Sequence, residues 1–417
     1  MNKWLWAKPV RNLDYNIRKS ALLLSLFFTF FAAGLNACAQ KKTDEQSAQS
    51  QGGVPAEITL GVERMSVYLP LLEGKKVACV LNNSSLINGK HLADTLKKLK
   101  VNIVKIFTPE HGIRGDADAG EKVNNAIDSK TGIPIVSLYG SHKQPTAEDM
   151  ENVDIMLYDI QDVGVRFFTY HSTLHYVMQA CAEESVPLVL LDRPNPNGDQ
   201  IDGPVLDTAW SSFVGMHPVP ILHGLTSGEM AKMINGEGWL QGKVKCGLEV
   251  INMYGYSHKS VYYPPVRPSP NLPNALSVRL YASLCLFEGT VISVGRGTDF
   301  PFQVAGGTDS AYGSFKFTPH SAFGAAKPMY EGKTCYGEDY RSQALSQTFT
   351  LKYLLDFYNR SPDKSKFFIK FFDRLAGGPA LKQQIMLGKT EAQIRGSWDA
   401  ELFRYKHMRR KYRIYLD

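Results

Sequence analysis

The stretch VKIFTPEHG, Val104 to Gly112, changes character abruptly. Val104, Ile106 and Phe107 are apolar, strand-forming residues. Thr108-Pro109 ends the run, because proline donates no ladder hydrogen bond and restricts the residue before it. Glu110 and His111 follow, and then a turn rich in Gly and Asp that holds Arg114. A carboxylate, an imidazole and a guanidinium at the end of a buried strand form either an ordinary polar loop or the edge of a binding site.

The neighbouring segments bear on that choice. KVACVLNNSS (Lys76 to Ser85), PIVSLYG (Pro134 to Gly140), DIMLYDIQDVG (Asp154 to Gly164) and PLVLLDRPNPNG (Pro187 to Gly198) read as further strands. HLADTLKKLK (His91 to Lys100) is helical, and TAEDMENV (Thr146 to Val153) is a short capped helix. Leu174, Val177, Met178 and Cys181 fall at i, i+3, i+4 and i+7, one face of a helix. Continuous apolar strands alternating with amphipathic helices predict an α/β fold, a Rossmann-like parallel sheet covered on both faces. Ligands bind such sheets at the carboxyl ends of the strands. All five ends carry polar or turn residues, which places Glu110 on the ligand edge. No G-x-G-x-x-G follows the first strand and no G-x-x-x-x-G-K-[ST] occurs, so no nucleotide and no other cofactor is expected.

The texture changes after Gly215. HGLTSGEMAKMING (His223 to Gly236) opens a helix with Thr226 and Glu229 in capping-box spacing. RPSPNLPN (Arg267 to Asn274) is a proline-rich loop, and LFEGTVISVGRGTDFPF (Leu286 to Phe302) reads as a strand joined to a Gly/Arg loop. The tail from Ala344 is helical. The expected division is a Rossmann-like domain over 56–215 and a smaller α/β domain over 216–417, with the site in the cleft between them.

At 417 residues, 44% hydrophobic and 21% charged, the composition is globular. Residues 1–38 stand apart. Lys3, Lys8, Arg11, Arg18 and Lys19 precede the apolar ALLLSLFFTFFAAG, and LNAC ends at Cys38. That order predicts an export signal whose Cys38 becomes a lipidated N-terminus, so that the chain is exported and held to a bacterial membrane by the lipid alone. Residues 39–55 read as a polar tether. Without residues 1–37, 42 basic and 39 acidic residues remain, a net charge of +3. No Lys/Arg run is interleaved with aromatics, so nucleic acid is excluded as a partner. The five cysteines after Cys38 lack C-x-x-C spacing and read as small buried hydrophobes. His171 and His175 have i, i+4 spacing but no H-E-x-x-H, and no metal is expected.

Glu110 is either a turn acceptor or a general acid, with His111 and Arg114 orienting it or binding an anion. Asp159, Gln161, Asp162 and Arg166 form a second group: one carboxylate partners Glu110, or Asp162 and Arg166 pair structurally. Asp192, Arg193 and Asn195 lie in the proline-fixed loop after the fifth strand, and Asn83 ends the first. His223 precedes the capped helix, and Arg296 stands between two glycines that let backbone approach a ligand closely. G-x-S-x-G is absent, so a serine-hydrolase triad lacks its signpost.

FTPEHGIRG, SLYG, DIQDVGVRFFTYHSTL, LDRPNPNG, SFVG, HGLTSGE, PSPNLPN and FEGTVISVGRGTDFPF, in this order, resemble the exo-β-N-acetylmuramidases, bacterial glycoside hydrolases formerly classed as a domain of unknown function. The resemblance runs from about Gly61 to Asp417. It implies release of terminal N-acetylmuramic acid from the non-reducing end of peptidoglycan fragments, in a cleft between a Rossmann-like and a smaller domain. It maps the catalytic glutamate onto Glu110 and a conserved segment onto Asp159, Gln161 and Asp162. Tyr170 and Asn271 fall in its motifs as candidate substrate contacts. Glycoside cleavage needs a protonated acid and stabilisation of an oxocarbenium-like centre. Asp159, Asp162 and the substrate's acetamido group stay open for the second role. Arg166, Arg193 and Arg296 are candidates for the lactyl carboxylate. A non-catalytic peptidoglycan- or sugar-binding lipoprotein would use the same cleft.

Overall fold

The five strands that straddle Glu110 form the centre of one sheet. In chain order the strands are β1 (Val77–Leu81), β2 (Leu86–Ile87), β3 (Lys90–His91), β4 (Ile103–Thr108), β5 (Ala126–Ile127), β6 (Pro134–Ser137), β7 (Ile155–Asp159), β8 (Leu188–Leu191), β9 (Leu248–Ile251), β10 (Val304–Gly307), β11 (Phe315–Phe317) and β12 (Cys335–Asp339). The computed structural model describes residues 57–110, 112–115 and 126–417. The expected export signal, Cys38, the tether and His111 lie outside them.

The large sheet has the order β5-β6-β4-β1-β7-β8-β9. All its pairings are parallel except β5 with β6. Side-chain parity shows why it is buried on both faces. Val77, Cys79 and Leu81 of β1, Ile155 and Leu157 of β7, and Val189 and Leu191 of β8 enter one apolar cluster. Ala78 and Val80, Met156 and Tyr158, and Leu188 and Leu190 enter the other. Successive strand residues point to opposite faces, so a continuous apolar run feeds two cores. The helices Met65–Leu72 and Leu92–Lys98 cover the first face. The helix Tyr170–Glu183 covers the second with the predicted stripe of Leu174, Val177, Met178 and Cys181.

The sheet runs past the expected division at 215/216. Leu248–Ile251 joins it as β9, parallel to β8, so the chain returns to the sheet after the helix Ser227–Gly236. This strand is four residues long with a partly exposed pattern, which left little periodicity to read. The C-terminal part adds a separate antiparallel sheet, β10-β12-β11, and helices ending in Glu391–Arg410. Residues 286–302 also differ from the expected strand. Cys285–Gly289 is a single 3-10 turn, and the chain then runs irregularly to β10. Residues Glu57–Asp417 form one compact unit. Cys79, Cys181, Cys246, Cys285 and Cys335 are all buried and unbridged.

Candidate active site

Glu110 leaves β4 two residues after its last strand residue, and Tyr139 leaves β6 likewise. The two strands are adjacent and parallel, with Thr108 opposite Ser137, so both side chains emerge at the same edge. They are hydrogen-bonded to each other, and the Tyr139 hydroxyl is pushed up to about 12, first by burial and then by the Glu110 carboxylate. Both line a cavity of about 210 Å³ walled by Phe167, Phe168, Phe213 and Phe371.

Tyr170, Asn271 and Arg296 border the same cavity. Tyr170 starts the helix on the second face and donates its hydroxyl to Pro268 O at 3.3 Å. Asn271 donates to Gly324 O at 2.7 Å, which fixes the proline-rich loop as a wall. Arg296 sits between Gly295 and Gly297, both at positive φ, 76° and 82°. A Cβ on Gly297 would stand 2.4 Å from His320 O, so only glycine lets the loop fold back tightly there.

The cavity also holds a residue that sequence reasoning did not single out. Glu288 lies in the 3-10 turn after the helix Ala275–Leu284. Its Oε1 is 2.6 Å from Arg296 Nε, and Cys285 Sγ donates to its Oε2 at 3.4 Å. Gly289 permits the placement, since a Cβ there would be 2.4 Å from Phe372 Cα. The available signal was the motif FEGT ahead of GRGT, which carries a carboxylate as well as the arginine. Glu288, Arg296 and Phe371 also border a second, larger pocket of about 580 Å³.

The other sequence candidates are placed elsewhere, and most are held by protein partners. Asp159, expected as a partner for Glu110, is fully buried and receives Arg193 bidentately, Nε at 2.6 Å and Nη2 at 2.8 Å. In that pair the carboxylate expected beside Glu110 and the guanidinium offered to the substrate satisfy each other, and neither is among the residues lining the cavity. Arg114 clamps Asp94 and Asp128 instead of a ligand, with contacts of 2.7–3.1 Å. Asp128 is lowered to about 2: burial pushes it up, but hydrogen bonds from Arg114 and Thr131 outweigh that. Arg166 donates to the carbonyls of Pro204, Val219 and Leu375 and is not among the residues lining the cavity.

Asp192 accepts hydrogen bonds from Thr226 Oγ1, Gly228 N and Tyr415 Oη at 2.7–2.9 Å. It ties the capped helix and the C-terminus to the sheet, and burial raises its carboxyl to about 6. Gln161 and Asn195 are likewise buried and hydrogen-bonded to backbone carbonyls. Asn83 donates to Arg267 O and borders a separate basic pocket with Arg114. Glu229 caps its helix as expected, and it also accepts from His258 and from the backbone of Ile414 and Tyr415.

Asp162, His171 and His223 form a buried group with candidate ligand atoms within 4.8 Å of one another. His223 does not fit a metal. Its Nδ1 accepts the Leu225 N–H at 3.2 Å, so the ring proton sits on Nε2 and no lone pair remains for a cation. Burial pushes the Asp162 carboxyl up and the two imidazoles down, which favours neutral forms throughout. His175 pairs with His217 at 2.9 Å instead of joining His171.

The family described as Exo-beta-N-acetylmuramidase NamZ matches in two parts, its N-terminal model over residues 77–276 and its C-terminal model over 279–415. The peptidoglycan beta-N-acetylmuramidase NamZ of Bacillus subtilis (strain 168) is 36% identical over 377 residues, covering 84% of this chain and 89% of that protein. Two DUF1343 family crystal structures from Bacteroides fragilis NCTC 9343 share the fold. One has a TM-score of 0.81 and 40% identity over 87% of this chain and all of its own. The other has a TM-score of 0.75 and 27% identity over 86% of this chain and 99% of its own.

Proposed function

The chain belongs to the exo-β-N-acetylmuramidase family, and from that premise we propose that it is an exo-acting glycosidase releasing terminal β-linked N-acetylmuramic acid from the non-reducing end of peptidoglycan fragments, in cell-wall turnover. One observation carries the reading to the level of residues. Glu110 stands at the ligand edge of the sheet, in a cavity lined by aromatic rings and supported by Tyr139. Aromatic faces suit the apolar faces of a pyranose, and the carboxyl supplies the acid that glycoside cleavage needs.

Glu110 is the general acid. It donates its proton to the glycosidic oxygen as the C1–O bond breaks, and the bond's electron pair stays on that oxygen. Arg296 is the arginine of the three sequence candidates that borders the cavity, so it is the one assigned to the lactyl carboxylate. Tyr170 and Asn271 bind the sugar from the same wall. The test is turnover of the nitrophenyl β-glycosides of N-acetylmuramic acid and N-acetylglucosamine. Strong preference for the muramoside is expected, since a sugar without the lactyl group cannot make the charge-assisted contact to Arg296. Equal kcat/KM on the two would sink the substrate assignment, and no turnover of either would favour a binding lipoprotein.

The reading extends to location. The basic start, the apolar core and LNAC support export with Cys38 as a lipid anchor to the membrane. The mass of the mature N-terminus tests this directly.

A further inference from the structure

We infer that Glu288 is the second catalytic carboxylate of this site and that Arg296 is its positioning residue. The inference rests on the muramidase reading and adds a role that the sequence left open. Protonating the leaving oxygen is half of glycoside cleavage. The other half is holding negative charge against the anomeric carbon as it becomes electron-poor. The two acidic residues expected for that task are not on the cavity. Asp159 is paired with Arg193, and Asp162 is buried beside His171. Glu288 is on the cavity, with Glu110, Tyr139 and the aromatic rings.

Its surroundings are those of a fixed charge. Oε1 faces Arg296 Nε at 2.6 Å and Oε2 accepts the Cys285 thiol at 3.4 Å, so neither oxygen is free to swing. The pair is only partly covered, with side-chain exposures of 24% for Glu288 and 32% for Arg296. A substrate can therefore reach the carboxylate. The backbone on both sides is constrained, by Gly289 packed on Phe372 and by the tight turn of Gly295 and Gly297. Preorganised charge of this kind stabilises a transition state without reorganising as the reaction proceeds.

In the step considered, the proton moves from Glu110 to the leaving oxygen, that oxygen keeps the bonding pair, and a water oxygen then bonds to C1 and gives its proton to the Glu110 carboxylate. Glu288 forms no bond and takes no proton. It supplies the countercharge that the electron-poor C1 lacks. Because C1 becomes positive whatever group departs, the demand on Glu288 does not depend on the leaving group, whereas the demand on Glu110 does.

The experiment compares wild type, Glu288→Gln, Arg296→Ala, Arg296→Lys and the Glu288→Gln/Arg296→Ala double variant on two muramosides. One has a nitrophenol leaving group and the other a sugar. Glu288→Gln should lose on the order of 10²–10³ in kcat on both, with KM changed only a few-fold. Arg296→Ala should lose kcat too, Arg296→Lys should restore part of it, and the double variant should be little worse than Glu288→Gln alone. Melting curves show whether each variant is folded, and the two Arg296 variants decide the matter if Glu288→Gln is not. A Glu288→Gln enzyme within about five-fold of wild type in kcat overturns the inference, as does a loss that shrinks with the better leaving group. So do additive losses in the double variant, or Arg296→Ala and Arg296→Lys variants that both keep kcat. A wild type that turns over neither muramoside overturns the activity reading itself, and the role of Glu288 with it.

Discussion

Asp159→Asn separates a structural charge from a chemical one. The native carboxylate is fully buried and takes two hydrogen bonds from Arg193, which also donates to Leu86 O at 3.1 Å. Asparagine keeps one acceptor but removes the countercharge, leaving a guanidinium 4% exposed without its ion-pair partner. Breaking a buried pair from one side costs about 3–5 kcal/mol, and the retained acceptor places this case near the lower end, about 3 kcal/mol. Urea unfolding followed by tryptophan fluorescence measures that loss, with kcat on the muramoside determined per folded molecule. The expected result is a clearly lowered unfolding midpoint with kcat within a few-fold of wild type. Adding Arg193→Met removes the stranded charge, so the double variant should unfold later than Asp159→Asn alone. A variant as stable as wild type but slower by 10²-fold or more would show that Asp159 does chemistry and that the strut reading is wrong.

Other expectations follow from the same structure. Glu110→Gln should lose about 10²–10⁴ in kcat on sugar aglycones and much less on nitrophenol, since a good leaving group needs little protonation; a uniform loss with a lowered melting temperature would instead mark Glu110 as a turn acceptor. The Asp192 carboxyl is raised by burial to about 6 from an ordinary 3.8, so the folded state holds its proton more tightly than the unfolded state does. Its contribution is therefore fully present below about pH 4 and fades as pH rises through about 6; the stability of wild type relative to Asp192→Asn, measured by urea unfolding, should fall across that window and level off above it. Asp128 runs the opposite way: its carboxyl sits near 2, so the stability it brings is complete above about pH 4 and lost as pH falls toward 2, an acid limb that Asp128→Asn should lack. Cys38→Ala should move the exported protein from the membrane fraction to the soluble one, and an unchanged distribution would refute the anchor.

The sheet was legible because its strands are buried on both faces, so Val77–Leu81 or Leu188–Leu191 could be read as unbroken apolar runs. β9 was not, because Leu248–Ile251 is short and Glu249 interrupts it. The ligand edge was equally legible, and Glu110 was found there. What a linear reading lacks is the pairing of charges across that edge. Arg193 follows β8 and Asp159 ends β7, an adjacent parallel strand, so the two cancel each other. Arg114 after β4 finds Asp94 on a helix and Asp128 beyond β5. Each looked like a candidate because each carries chemistry-bearing atoms, and sequence separation hides that those atoms are spent on neighbours. Glu288 shows the converse. It comes from an irregular turn with no periodicity, more than a hundred residues from Glu110, and only the packing of that turn on Phe372 brings it to the cavity.

The shape of the site also bears on why such an enzyme works from chain ends. An internal muramyl unit carries glycan on both sides, so cleaving it requires an open trough. The cavity holding Glu110 is about 210 Å³ and is closed on several sides by Phe167, Phe168, Phe213, Tyr170 and Leu375. That is below the usual size range of about 300–1,000 Å³ for ligand pockets, and it suits one ring with its substituents rather than a threaded chain. Glu288, Arg296 and Phe371 form the side it shares with the pocket of about 580 Å³. A terminal ring in the small cavity therefore places its neighbouring groups toward a roomier and partly exposed space. With the roles proposed above, the cation for the lactyl group and the carboxylate for C1 belong to one ion pair, Arg296 with Glu288. Recognition and charge stabilisation are then coupled: a sugar without a lactyl carboxylate leaves Arg296 oriented by Glu288 alone, so it should lose rate as well as affinity.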